Sequence, residues 1–142
     1  MKLRPELDVS YFNNLSRGHL PEHLGVKVTR LAQGVMGGNV EVEPKLMAPN
    51  GFLHAGTVVT LADTLAGYAC VAHLPEGAIG FTTLELKSNF LGTAREGTIA
   101  AEVTAVHLGR TTHVWDAIVW RGIDRTKPIA VFRCTQLVLY PR

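Results

Sequence analysis

Between Leu46 and Pro75 the chain carries a single Asp, Glu, Lys or Arg, and that residue is Asp63. Its neighbours are Ala, Leu, Val and Thr. Burying an unpaired carboxylate costs several kcal/mol or raises its pKa, and a poorly solvated carboxylate is a base or a nucleophile. Bonded instead to Thr60, Thr64 or a backbone group, the same residue is structural. Nine positions earlier stands His54-Ala55-Gly56, preceded by the chain breakers Pro49-Asn50-Gly51. A turn running into a helix start leaves backbone N–H groups unpaired and pointing outward. Those of Ala55 and Gly56 are suited to polarise a thioester carbonyl and hold the oxyanion formed on attack. Small side chains there let an acyl group come close; they also serve the plain sterics of a tight turn.

The elements that must position these groups follow from periodicity. Residues 54–72 repeat apolar positions at helical spacing on two sides: Val58, Leu61, Leu65 and Ala69, then Val59, Ala62, Ala66 and Cys70. A helix apolar nearly all round is a buried helix, and its small residues let a sheet approach. Ahead of it, a short helix is expected over about 5–16, with Leu7, Tyr11, Phe12 and Leu15 on one side. Alternating runs at 24–31 and 39–43 form a hairpin, turned at Gly34 and Gly37-Gly38. Four further strands are expected at about 79–91, 97–108, 111–121 and 128–140, with turn residues at Gly92, Gly109-Arg110 and Gly122-Ile123-Asp124. Short turns favour antiparallel neighbours. The fold class is α+β: one antiparallel sheet of about six strands wrapped around a long central helix, in a single domain of 142 residues. Six strands on one helix leave edges uncovered, so pairing with a second chain is expected.

Geometry adds its own constraint. Asp63 lies roughly 13 Å along the helix from His54 and about half a turn around it. One helix cannot aim both its first turn and Asp63 at one carbonyl carbon, which must lie about 3 Å from each participant. Two antiparallel copies can, and the arrangement then contains two equivalent composite sites.

The residues Gly51-Phe52-Leu53-His54-Ala55-Gly56 followed by Leu61-Ala62-Asp63 resemble the HGG…D/E signature of hotdog-fold thioesterases of the phenylacetate-degradation (PaaI-like) type. The likeness extends over the leading strands, the segment GFTTLELKSNFLGTAREG and the last three strands. It implies a hotdog fold hydrolysing an aromatic or medium-chain acyl-CoA. It also implies Asp63 as nucleophile or general base, the Ala55 N–H as oxyanion donor, and Thr83 or its neighbour Thr82 holding water or substrate. Coenzyme A carries phosphates, so Lys87, Arg95 and Arg110, near strand ends or turns, are candidate contacts. Two positions depart from the pattern. Ala55 replaces the first glycine after the histidine, which keeps the N–H but crowds the approach. Ala48 stands where many relatives carry Asn or Gln, with Asn50 two positions later as a candidate substitute. His54 is expected to orient the turn through a backbone hydrogen bond.

Composition narrows the rest. Hydrophobic residues make up 46% and charged residues 18%, with a net charge of +2, which gives no basic face for nucleic acid. Cys70 and Cys134 lie in apolar runs and read as buried free thiols. The other histidines (His19, His23, His73, His107 and His113) lack metal-ligand spacing; His107 and His113 flank a turn and read as surface or packing residues. No cofactor, metal or membrane partner is expected. The first residues lack an apolar secretory core, so the cytoplasm is the default compartment. The expected partners are acyl-CoA and further copies of the chain, as a dimer or a dimer of dimers (homotetramer). A hotdog dehydratase or hydratase, and a non-catalytic acyl-CoA-binding protein of the same fold, are the alternatives.

Overall fold

The apolar segment after His54 forms one helix, α3 (Ala55–Ala72). It is long and apolar enough to cross a membrane by composition, but 56% of it is buried inside the protein. The structure, a computed structural model, describes residues 1–122 and 124–142; of the expected turn Gly122-Ile123-Asp124, Ile123 lies outside the described residues. Before α3 come α1 (Val9–Leu15), α2 (Leu20–His23), β1 (Lys27–Ala32), β2 (Val35–Glu41) and a 3-10 turn, Pro44–Leu46. After it come β3 (Gly80–Phe90), β4 (Thr98–Leu108), β5 (Thr112–Arg121) and β6 (Pro128–Leu139). All six strands join one antiparallel sheet in the order β1-β2-β4-β5-β6-β3, which curls around α3. This is the expected α+β hotdog arrangement, and the four late strands lie within a residue or so of the expected bounds.

Four local expectations are corrected. The helix near the N-terminus starts at Val9, where Asp8 caps it by accepting the Tyr11 N–H at 2.7 Å. Of its expected apolar side, Phe12 is buried and stacks on Tyr68 of α3, whereas Tyr11 and Leu15 are exposed. A second turn of helix, α2, begins beside Pro21, which had been read only as a breaker although proline is well placed in a first helical turn. Gly37-Gly38 is not a turn: the hairpin turns at Gly34 (φ +67°), and both glycines lie inside β2. At Gly38 a Cβ would fall 2.6 Å from the Lys27 carbonyl oxygen and 2.8 Å from Leu65 Cδ2. The residue is glycine so that β2 can lie directly against α3.

The fourth correction concerns connectivity. The joint at Gly92 does not link neighbours; β3 lies at the far edge beside β6, while β4 returns to pair with β2 and β5. The crossing segment is held where α3 begins. Ala94 is buried, Thr93 Oγ1 accepts the Leu53 N–H at 3.3 Å, and the Arg95 guanidinium sits 4.7 Å from the centre of the Phe52 ring. β3 is consequently an unpaired edge. Most of its residues are exposed, and Leu84, Leu86 and Phe90 are at least 40% exposed, flanked by Ile79 and Leu91. An apolar edge of this kind is a template for another strand.

The contact between β2 and α3 yields a stability test. Replacing Gly38→Ala drives a methyl into backbone and Leu65 at once, and overpacking of this kind typically costs about 1–3 kcal/mol. Urea unfolding should show a lower midpoint with unchanged slope; a midpoint equal to that of the parent would mean that the strand and helix do not meet there.

Candidate active site

The loop before α3 is shaped by its own backbone. Gly51, at φ +83°, donates to the Ala48 carbonyl at 3.0 Å, and Ala48 donates to the Phe52 carbonyl at 2.7 Å. The Leu46 carbonyl then accepts both the His54 N–H (3.1 Å) and the Thr57 hydroxyl (2.9 Å). These bonds fix His54 as the N-cap of α3, and its Nδ1 accepts the Gly56 N–H at 2.8 Å. The Nδ1 lone pair is therefore in use, and the histidine orients the turn as expected. The Thr57 N–H reaches the His54 carbonyl at 2.9 Å. Of the first three amides of the helix, the Ala55 N–H is left without an acceptor among the described residues. The expected pair of donors is thus narrowed to one, because the Gly56 N–H is committed to the cap.

Asp63 lies two turns further along α3. Its Oδ1 is buried and has no hydrogen-bond partner among the described residues. The structural alternative through Thr60 is removed, since the Thr60 hydroxyl donates to the Gly56 carbonyl at 2.8 Å. Burial raises the Asp63 pKa above the ordinary aspartate value. The carboxylate lies over β6 near Cys134, whose thiol pKa is pushed up to about 12 first by its own burial and then by the charge of Asp63. Between the Ala55 amide and Asp63 run eight residues of helix, about 12 Å. The two groups that suit thioester chemistry belong to one helix and are too far apart to meet at one atom.

The other expected site residues divide by location. Thr83 pairs with the fully buried Gln136, which places it on the inner face of the sheet, the face that α3 covers. Thr82 pairs with Leu137 and Lys87 with Arg133, on the outer face. The sheet itself separates both from Asp63 of the same chain. Lys87 borders instead an outer cavity of about 430 Å³ with Asp116, Arg133 and Trp120. Arg95 sits where α3 begins, on Phe52. Arg110 lies in the β4–β5 turn, 5.6 Å from the Tyr140 ring centre and beside the β5 start that packs on Cys70; this is the other end of α3. Asn50 is exposed, and its Oδ1 accepts the Phe52 N–H at 3.1 Å. It closes its own turn, and its carbonyl oxygen is committed there.

Sequence reading passed over a second group of inner-face residues. His113, first read as a surface or packing residue, is fully buried, and so are His73 and Gln136. His73 accepts the Gly34 N–H at 2.9 Å through Nε2 and contacts the Ala69 carbonyl at 2.8 Å through Nδ1. The signal was alternation: His113, Trp115, Ala117 and Val119 share one face of β5, as Cys134, Gln136 and Val138 share one face of β6. Among the described residues no three His, Cys, Asp or Glu side chains converge as a metal site.

The architecture is shared with proteins of known class. The sequence model of the thioesterase superfamily matches residues 50–127, more than half of the chain, from Asn50 in the loop through α3, β3, β4 and β5. The putative esterase PA1618 of Pseudomonas aeruginosa is 32% identical, over 93% of this chain and 90% of its own. The 1,4-dihydroxy-2-naphthoyl-CoA hydrolase of Listeria monocytogenes is 31% identical over 82% of this chain and 92% of its own. The proofreading thioesterase EntH of Klebsiella pneumoniae is 30% identical, over 84% and 87%. The crystal structure of a glutamine-to-alanine mutant of thioesterase PA1618 superimposes with a TM-score of 0.90, covering 98% of this chain and 99% of that one at 30% identity. The buried helix, its capped start and its lone carboxylate accordingly place the chain in the thioesterase superfamily, as a hotdog-fold thioester hydrolase.

Proposed function

We propose that the protein hydrolyses an aromatic or medium-chain acyl-CoA at two composite sites, each formed by Asp63 of one subunit and the α3 start of an antiparallel partner. One observation carries the reading. A buried carboxylate oxygen and a helix-start N–H both lack partners among the described residues, yet they are fixed about 12 Å apart on one rigid helix. A second copy laid along the exposed β3 edge brings the free amide of one chain to the free oxygen of the other. The apolar side chains of β3 give that edge a reason to be covered.

In such a site the thioester oxygen accepts a hydrogen bond from the Ala55 N–H of the partner subunit. Asp63 either attacks the carbonyl carbon or takes a proton from a water that attacks it. The tetrahedral oxyanion is held by the same amide and the C–S bond breaks; in the general-base route the sulfur leaves with the proton that Asp63 took from water, and in the nucleophilic route it leaves as the thiolate and is protonated from solvent. In the nucleophilic route water then hydrolyses the acyl-aspartyl anhydride. Thr83, on the same face of the sheet as Asp63, holds the water. Arg95, packed on Phe52 beside the helix start, is the cation best placed for the phosphates of coenzyme A. The aromatic choice of acyl group is supported by the likeness to a hydrolase named for an aryl-CoA. Association of two dimers, through the outer face around Ile118 and Val131, would complete a tetramer.

Three measurements test this. Replacing Asp63→Asn should lower kcat about 10²–10⁴-fold, the usual contribution of a positioned base, while size-exclusion chromatography still shows the parent oligomer. Because burial raises the Asp63 pKa, the folded chain binds its proton more tightly than the unfolded chain does. Stability from this group therefore falls as pH rises through that window, and Asp63→Asn should be no less stable at neutral pH. Activity has the opposite sign: kcat should rise with pH along a limb above the ordinary aspartate value of 3.8. Full activity in Asp63→Asn removes the acid from the mechanism.

The composite site is tested by complementation. Ala55 is the first helical residue and follows His54 in an extended conformation, so Ala55→Pro deletes the N–H without breaking the helix. That variant should lose about 10²–10³-fold in kcat. Unfolding it together with Asp63→Asn and refolding the mixture should restore about a quarter of parent activity, the share of intact sites in randomly paired dimers. No recovery on mixing would put the whole site inside one chain.

A further inference from the structure

The inner face of the sheet holds a row of polar side chains that hydrolysis as described does not use. Gln136 is fully buried on β6, and neither its Oε1 nor its Nε2 has a partner among the described residues. On one side it is paired across the strands with Thr83 of β3, on the other with His113 of β5. Residues opposite one another in antiparallel strands have Cβ atoms about 4.5–5.5 Å apart, so Thr83, Gln136 and His113 stand shoulder to shoulder. His113 is also fully buried; its Nε2 has no partner, and its Nδ1 lies 3.3 Å from Cys70 Sγ. Buried polar atoms without partners carry a desolvation cost that apolar residues in the same places would not. Three such atoms side by side, next to the inner-face hydroxyl of Thr83, point to a role outside stability.

We propose that Gln136 is a positioning residue: anchored by His113, its amide orients the Thr83 hydroxyl and, through it, the water held or deprotonated at Asp63. The inference rests on the reading of Asp63 as base or nucleophile. The polarity of the row follows from donor counting. The Cys70 thiol stays protonated, its pKa pushed up to about 12 by burial, so S–H donates to His113 Nδ1. His113 is held neutral, its pKa lowered to about 4 chiefly by burial, and its ring also lies beside the Gly109 backbone; the remaining proton then sits on Nε2, and Gln136 is the cross-strand neighbour that can accept it. The Gln136 NH₂ is then directed at Thr83 Oγ1. With its oxygen already accepting, Thr83 has its own O–H free to donate toward the water or carboxylate. Rotation of the Gln136 amide, or one bridging water in each gap, closes the row. It also supplies a side-chain amide to a chain that has Ala48 where relatives carry Asn or Gln, and whose Asn50 is committed to its own turn.

The test is a double-mutant cycle read with thermal unfolding. Gln136→Met keeps shape and removes both hydrogen-bonding groups; Thr83→Val removes the hydroxyl. With aryl and straight-chain acyl-CoA substrates, Gln136→Met should lower kcat about tenfold with KM changed less than about twofold, the mark of an interaction made in the transition state. Thermal unfolding should still show one cooperative transition, because the exchange keeps the volume of the side chain. The double variant should be no slower than Thr83→Val. Unchanged kcat, failure of Gln136→Met to fold, or losses that multiply across the pair would each overturn the role. Asp63→Asn run alongside separates the causes. If it is inactive while Gln136→Met turns over normally, the positioning role alone fails; if it retains full activity, the underlying reading fails and this one with it.

Discussion

A carboxylate held at the middle of an apolar helix is the constraint around which the rest of the chain is arranged. Desolvating an ion without a partner costs several kcal/mol in real proteins, and Asp63 carries that cost with one oxygen unpaired. The surrounding structure must therefore be stable enough to tolerate it and must leave access on one side. Both needs are met by close packing of α3. Gly38 lets β2 approach Leu65, and Gly67 leaves 3.0 Å between its would-be Cβ and Phe81. The helix is thereby wrapped on the β2, β4 and β5 side, while the stripe through Gly56, Thr60 and Asp63 is covered only in part.

How much of this was legible depends on which signal carried it. The central helix was readable to within a residue, because eighteen positions of helical spacing follow the histidine that caps it. The late strands were readable because each is ten to twelve residues of alternation between turns. Gly37-Gly38 misled because a glycine pair signals a turn in sequence, whereas here Gly38 answers to Leu65 of the helix, more than twenty residues away. The far-edge position of β3 was hidden as well: local spacing shows where a strand ends, not where the chain next pairs, and seven residues from Leu91 to Gly97 suffice to cross to β2.

The sheet faces of the candidate ligands were the least legible, for a specific reason. Plain alternation puts Thr83, Glu85 and Lys87 on one face. The pairing of β3 with β6 slips between Thr83 and Glu85, so Leu84 is extra and the phase reverses. Thr83 stays with Asp63 while Lys87 turns to the outside. A bulge of one residue thus separates two groups that sequence had placed together, and bulges are frequent next to active sites because they re-aim side chains in this way. The buried row of His113 and Gln136 was visible as alternation but not as chemistry, since a histidine or glutamine gains meaning only when its cross-strand neighbours are known.

The exposed edge and the incomplete site are consequences of one economy. A strand that finished the sheet within the chain would cover β3 and leave Leu84, Leu86 and Phe90 buried, but it would also close the side on which Asp63 is open. Leaving the edge bare keeps that side open and presents an apolar surface on which, under the proposed function, a second copy docks. The helix start of that copy can then bring the amide which the first helix, by its rigidity, cannot. Chemistry that needs two groups of one straight helix at a single atom is possible only when the helix is used twice, and an unpaired strand edge is the least demanding way to bring it there.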